Sequence, residues 1–134
     1  MKTLKVEVIT PSKKAYKGEV FSITVPGSKG NFQVLYNHAP ILSSLEIGKV
    51  KIVEKEGAEP QFFAISGGTV EVLNNKVLIL AESFEAKSEI DVERAENSKQ
   101  RAEERISSKK KEIDLTRAEI SLKRAINRLK IAKS

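Results

Sequence analysis

The chain has 134 residues, 24 of them basic and 18 acidic, for a formal net charge of +6. It has no cysteine, which excludes disulfides, zinc-thiolate sites and thiol nucleophiles together. No stretch approaches the roughly 18 apolar residues of a membrane helix, and Met1-Lys2-Thr3-Leu4-Lys5 lacks the apolar core of a signal peptide, so a soluble, cytoplasm-facing protein is expected.

In the first two-thirds, short apolar runs alternate with other residues: Leu4/Val6/Val8, Phe21/Ile23/Val25, Phe32/Val34, Val50/Ile52, Val70/Val72 and Val77/Ile79. A period of two marks strands with one buried face. Turn residues separate the runs at Pro11-Ser12, Pro26-Gly27-Ser28-Lys29-Gly30, Glu56-Gly57, Gly67-Gly68 and Asn74-Asn75. Asparagine tolerates positive φ, so Asn74-Asn75 predicts a two-residue hairpin turn. The pattern predicts an antiparallel β-sandwich or flattened barrel over residues 1–86.

The last glycine, proline and aromatic residue are Gly68, Pro60 and Phe84. Beyond Ala86 the period becomes helical, with Val92, Ala95, Lys99, Ala102 and Ile106 forming a stripe that Lys99 weakens. A cleaner stripe follows in Leu115, Ala118, Leu122, Ala125, Leu129 and Ala132. The two are out of phase, which predicts a two-helix antiparallel hairpin over residues 87–134, turning near Ser107-Ser108-Lys109-Lys110. The fold class is therefore α+β, a strand body followed by a helical appendage. Ser88-Glu89-Ile90-Asp91 reads as a capping box with Ser88 as the cap.

No glycine or proline forces that turn, and alanine seams bury little apolar area. A closed hairpin and an extended form are thus expected to lie close in energy, as a switch requires.

Residues 1–86 carry 10 basic and 9 acidic side chains, against 14 and 9 in residues 87–134. Arg94, Arg101 and Arg105 lie seven and four apart, and Arg117, Arg124 and Arg128 repeat that spacing. Two such rows on a closed hairpin form either a solvated, ion-paired face or an anion site. Spacing alone favours the solvated face, because Glu93, Glu96, Glu103, Glu104 and Glu119 lie within a turn of basic residues. Lys109-Lys110-Lys111 would suit a nucleic acid, but the tail has no aromatic ring for base stacking, so no nucleic-acid partner is expected.

His38, the only histidine, lies in Asn37-His38-Ala39-Pro40 without a triad or metal-ligand pattern around it, so it reads as a loop residue that shapes a turn or meets a partner. Gly27-Ser28-Lys29-Gly30 lacks the frame of a Walker phosphate loop. No catalytic residue and no metal site are expected.

Four motifs together resemble the epsilon subunit of bacterial F-type ATP synthases over nearly the whole chain. They are Val34-Leu35 followed by Asn37-His38-Ala39-Pro40, Gly67-Gly68-Thr69-Val70-Glu71-Val72, Ile90-Asp91-Val92-Glu93-Arg94-Ala95, and Leu122-Lys123-Arg124-Ala125-Ile126-Asn127-Arg128-Leu129. The chain departs from that pattern at Gln33 and Tyr36, where the family often has glycine and proline.

The resemblance implies a non-catalytic rotor subunit peripheral to the cytoplasmic face of the bacterial cell membrane. Its sandwich would dock on the gamma subunit and the c-ring, with Asn37, His38, Ala39 and Pro40 as partner contacts. Its helices would fold down, or extend toward the catalytic beta and alpha subunits and inhibit ATP hydrolysis. No cofactor is required, but ATP is implied as a regulatory ligand of the folded hairpin. Its binding residues would be Glu85, Ile90, Asp91, Arg94, Arg101, Arg124 and Arg128, with the arginines on the phosphates and Glu85 and Ile90-Asp91 near the adenosine.

Overall fold

The computed structural model describes residues 2–108 and 112–134, with side chains of the last stretch described from Leu115 onward. The chain forms two compact units, Met1–Lys87 and Ser88–Ser134. Lys109, Lys110 and Lys111, which include the end of the expected turn and the whole lysine run, lie outside the described residues.

The first unit holds eight strands: β1 (Leu4–Ile9), β2 (Lys14–Val20), β3 (Ser22–Gly27), β4 (Gly30–Val34), β5 (Ile41–Val53), β6 (Gln61–Leu73), β7 (Lys76–Ala81) and β8 (Phe84–Ala86). They form one sheet in the order β2-β1-β7-β6-β5-β3-β4, with β8 added to β6. Two expectations need correction here. The sheet is mixed, because β1 runs parallel to β7 from Lys5 opposite Lys76 to Ile9 opposite Leu80. It is also not closed into a barrel, since the end strands β2 and β4 do not pair with each other. Alternation reveals which face of a strand is buried but not the direction of a partner distant in sequence.

The sheet folds over because β5 and β6, at 13 residues each, take part in both layers. Buried positions along β6 change parity from Phe63 and Ile65 to Val70 and Val72. On β5 the same change separates Leu45 from Val50 and Ile52. The switch falls where Gly67 (φ +93°) and Gly68 (φ +148°) lie across from Leu45 to Ile47. At Gly68 a Cβ would stand 2.0 Å from the Leu80 carbonyl oxygen, so only glycine lets β7 come so close. Gly67-Gly68 is thus a bend inside a strand and not the turn that the sequence suggested.

Eighteen buried residues form the core between the layers, among them Leu4, Val8, Ile23, Ile52, Ile65 and Ile79, none more than 1% exposed. Each such aliphatic side chain contributes about 1.5–3 kcal/mol on leaving water. Phe63 stacks on Phe84 at 4.6 Å between ring centroids and meets the edge of Tyr16 at 5.7 Å. Asn74 and Asn75, at φ +49° and +62°, form the two-residue turn between β6 and β7. That arrangement matches the expected hairpin.

In the second unit α1 (Val92–Ser107) and α2 (Glu112–Ala132) pack together. Asp91, not Ser88, caps α1: its Oδ1 accepts the Arg94 N–H at 3.1 Å. A short 3-10 turn at Lys87–Glu89 occupies the place where the helix was expected to begin. The seam is made by Ala95 and Ala102 of α1 and by Ala118, Ala125 and Leu129 of α2, all buried. Lys133 Nζ lies 3.2 Å from Glu96 Oε1, joining the end of α2 to the start of α1 and marking an antiparallel register.

Candidate anion-binding site on the helical hairpin

With Glu96 beside Lys133, five residues onward along α1 and five back along α2 bring Arg101 level with Arg128. Nine residues bring Arg105 level with Arg124. All four arginines line one cavity of about 330 Å³ with Ser98, Ala102 and Ser121. Four of the six arginines in the two rows therefore converge on one cavity, with Arg101 and Arg105 still exposed to solvent. Arg101 Nη2 donates to Ser98 Oγ at 3.2 Å. The Nε of Arg124 is buried and finds no acceptor among the described residues, which leaves a donor paying desolvation without a hydrogen bond. Among the described residues no carboxylate lines this cavity, so its walls present guanidinium donors and hydroxyls, a chemistry suited to an anion with several oxygens.

The remaining residues expected to bind ATP are placed differently. Arg94 is exposed, does not line the cavity, and contributes its backbone N–H to the helix cap. Asp91 is committed to that cap. Ile90 is buried at 9% exposure just before it. Glu85 is partly buried on β8, opposite Ala64, and belongs to the other unit.

Sequence reading left Ser98, Arg105 and Ser121 out of the binding set. The signal for them is an internal repeat, residues 94–105 against 117–128. It pairs Arg94 with Arg117, Ala95 with Ala118, Glu96 with Glu119, Ser98 with Ser121, Arg101 with Arg124, Ala102 with Ala125 and Arg105 with Arg128. Six of the seven cavity residues are its paired serines and arginines, and the buried alanines of the seam are its paired alanines.

On the sandwich, Asn37 adopts φ +63°, and its N–H donates to Asn75 Oδ1 at 2.6 Å while Asn75 Nδ2 donates to Asn37 Oδ1 at 3.3 Å. The β4–β5 loop is thereby tied to the β6–β7 turn. The His38 N–H donates to the Leu35 carbonyl at 3.1 Å, closing the turn that leads into Ala39 and Pro40. His38 Nδ1 lies 2.6 Å from the Ala39 carbonyl, which can only accept, so that nitrogen carries the proton. His38 also borders a concavity of about 550 Å³ with Lys29, Phe32 and Leu42, the last of these 75% exposed. Another concavity, about 490 Å³, lies over Lys5, Lys17, Gly18 and Lys76 but includes Glu7 and Glu19, so it lacks the single-sign lining of the arginine cavity. Among the described residues no three histidine, aspartate or glutamate side chains form a group able to hold a metal ion.

Residues 3–87 match the ATP synthase delta/epsilon chain beta-sandwich domain, and residues 88–133 match the delta/epsilon chain long alpha-helix domain. The chain belongs to the ATP synthase delta/epsilon chain family. Members of this family are non-catalytic subunits of the synthase. The chain is 50% identical to the ATP synthase epsilon chain of Pelotomaculum thermopropionicum over 131 residues, covering 98% of this chain and 96% of the relative. It is 41% identical to that of Desulforamulus reducens over 132 residues, covering 98% of each. A delta/epsilon chain fold also recurs at a TM-score of 0.83 and 21% identity in a chain of the Euglena gracilis mitochondrial ATP synthase structure, covering all of this chain and 83% of that one. Among the described residues of this delta/epsilon chain, no helix is long and apolar enough to cross a membrane.

Proposed function

We propose that this epsilon-type chain works in the central stalk of a bacterial F-type ATP synthase, on the cytoplasmic side and peripheral to the membrane. The sandwich docks on the gamma subunit and the c-ring and carries rotation. The helices regulate: extended toward the beta and alpha subunits they inhibit ATP hydrolysis, and closed as a hairpin they hold ATP. Family membership supports the stalk role. The observation that carries the regulatory role is the cavity that gathers Arg101, Arg105, Arg124 and Arg128 from both helices.

Four guanidiniums of like charge within one cavity repel one another, and a bound polyanion offsets that repulsion in the closed hairpin. A ligand that binds only the closed form stabilises it by RT ln(1 + [L]/Kd), so abundant ATP holds the hairpin shut. When ATP is scarce, the small alanine seam retains little hold and the helices are released. His38 and its neighbours supply a rigid partner-facing loop on the sandwich, held in place by the Asn37–Asn75 pair.

Two measurements test the halves of this proposal. Titration calorimetry of the full chain with ATP is expected to give saturable binding that Arg124→Ala with Arg128→Ala weakens at least about a hundredfold, or about 2.7 kcal/mol. No heat with the unmodified chain, or an unchanged isotherm for the double variant, refutes the ligand half. Deleting residues 88–134 should raise ATP hydrolysis by the reconstituted complex at low ATP while leaving rotation coupled, and equal hydrolysis with and without the segment refutes the brake.

A further inference from the structure

We infer that the hairpin cavity is a quasi-two-fold site for a condensed-phosphate chain, and that it takes inorganic pyrophosphate and tripolyphosphate as well as a nucleotide. This deepens the ATP-binding reading and rests on it. The repeat of residues 94–105 in residues 117–128 places the same side chains on two helices that run in opposite directions. Such a pair is related by an approximate two-fold axis between the helices. That axis exchanges Arg101 with Arg124, Arg105 with Arg128 and Ser98 with Ser121, all of which line the cavity.

The symmetry bears on the ligand. A pyrophosphate is two-fold about its bridging oxygen and a tripolyphosphate about its central phosphorus, so each end can receive an equivalent pair of guanidiniums. A nucleoside has no such symmetry. The lining adds a second argument, since the seven described residues in it are four arginines, two serines and one alanine. They offer no aromatic side chain on which a purine would stack and no carboxylate to accept from its amino group. Size agrees: about 330 Å³ lies at the low end of the roughly 300–1,000 Å³ of small-molecule sites. The walls therefore read the number and spacing of phosphate oxygens, and the buried Arg124 Nε is a donor that such an oxygen would satisfy.

The test is calorimetry on the full chain in a chelating buffer, with sodium tripolyphosphate as the probe and ATP as competitor. Tripolyphosphate is expected to bind and to raise the apparent Kd of ATP linearly with its own free concentration, as competition for one site requires. Arg101→Ala and Arg124→Ala, exchanged by the axis, are expected to weaken tripolyphosphate at least about tenfold each and to agree within about threefold. Helical circular dichroism of both variants establishes that the hairpin is retained, and tripolyphosphate competition with the unmodified chain stands without them. ATP binding without tripolyphosphate binding overturns the inference and leaves the nucleotide reading intact. Failure of both ligands overturns both readings. Equal displacement of ATP by sodium sulfate at matched ionic strength, or a difference above about tenfold between the two variants, also overturns the inference.

Discussion

Two residues of the sandwich have environments sharp enough to predict. Gly68→Ala would place a methyl group 2.0 Å from the Leu80 carbonyl oxygen at a φ of +148°, and neither β6 nor β7 can yield without breaking ladder bonds. The variant is expected to lose more than about 2 kcal/mol, read as a lower urea midpoint with an unchanged slope. A midpoint equal to that of the unmodified chain would show that the strands do not approach so closely. Tyr16 offers a different handle. Burial, the Glu54 charge and the hydrogen bond from its hydroxyl to Glu54 Oε1 at 3.4 Å push its pKa from 10 up to about 12. All three causes favour the neutral phenol in the folded state. Its contribution to stability is therefore complete below pH 10 and is lost as the pH rises toward 12. Denaturant titrations over that window are expected to show a loss of stability that Tyr16→Phe removes.

Elements that sequence reading located are those whose buried faces follow a local period. Val70 and Val72 of β6, Val77 and Ile79 of β7, and the Ala118-Ala125-Leu129 seam of α2 all belong to this class. The Asn74-Asn75 turn was legible because its backbone demand is also local. Strand β2 was not found, because Lys14-Ala15-Tyr16-Lys17-Gly18-Glu19-Val20 has one fully buried residue and no alternating apolar run. Only three residues long, β8 was equally silent. Parallel pairing of β1 with β7 depends on partners some 70 residues apart, which no window can register. At the cavity the arginine spacing was visible, but its convergence depends on the antiparallel register of the two helices, which the Glu96–Lys133 contact reveals. The helix start was misplaced because Ser88 and Asp91 both suit a cap, and only geometry separates them. Asp91→Ala should therefore cost the hairpin about 1 kcal/mol in its thermal transition, whereas Ser88→Ala should cost less than about 0.5 kcal/mol. The reverse order would restore Ser88 as the cap.

At the scale of the molecule, all eighteen core residues of the sandwich fall between Leu4 and Phe84, so that unit has a hydrophobic interior without help from the helices. A fragment of residues 1–87 is expected to unfold cooperatively, with a midpoint within about 0.5 kcal/mol equivalent of the sandwich transition in the full chain. Non-cooperative melting of the fragment would mean that the helices complete the core. The hairpin is built the other way, with a narrow alanine seam and a surface dominated by charge, so it has less buried apolar area to hold it closed than the sandwich has. The bend at Gly67-Gly68 adds a mechanical consequence. Because β5 and β6 continue through it, the two halves of the body are stitched by unbroken main chain as well as by side-chain packing. A twisting load on one half would pass to the other along covalent bonds, which barely stretch, while interdigitated methyl groups could slip. The rotation-carrying role proposed above would be well served by such seams.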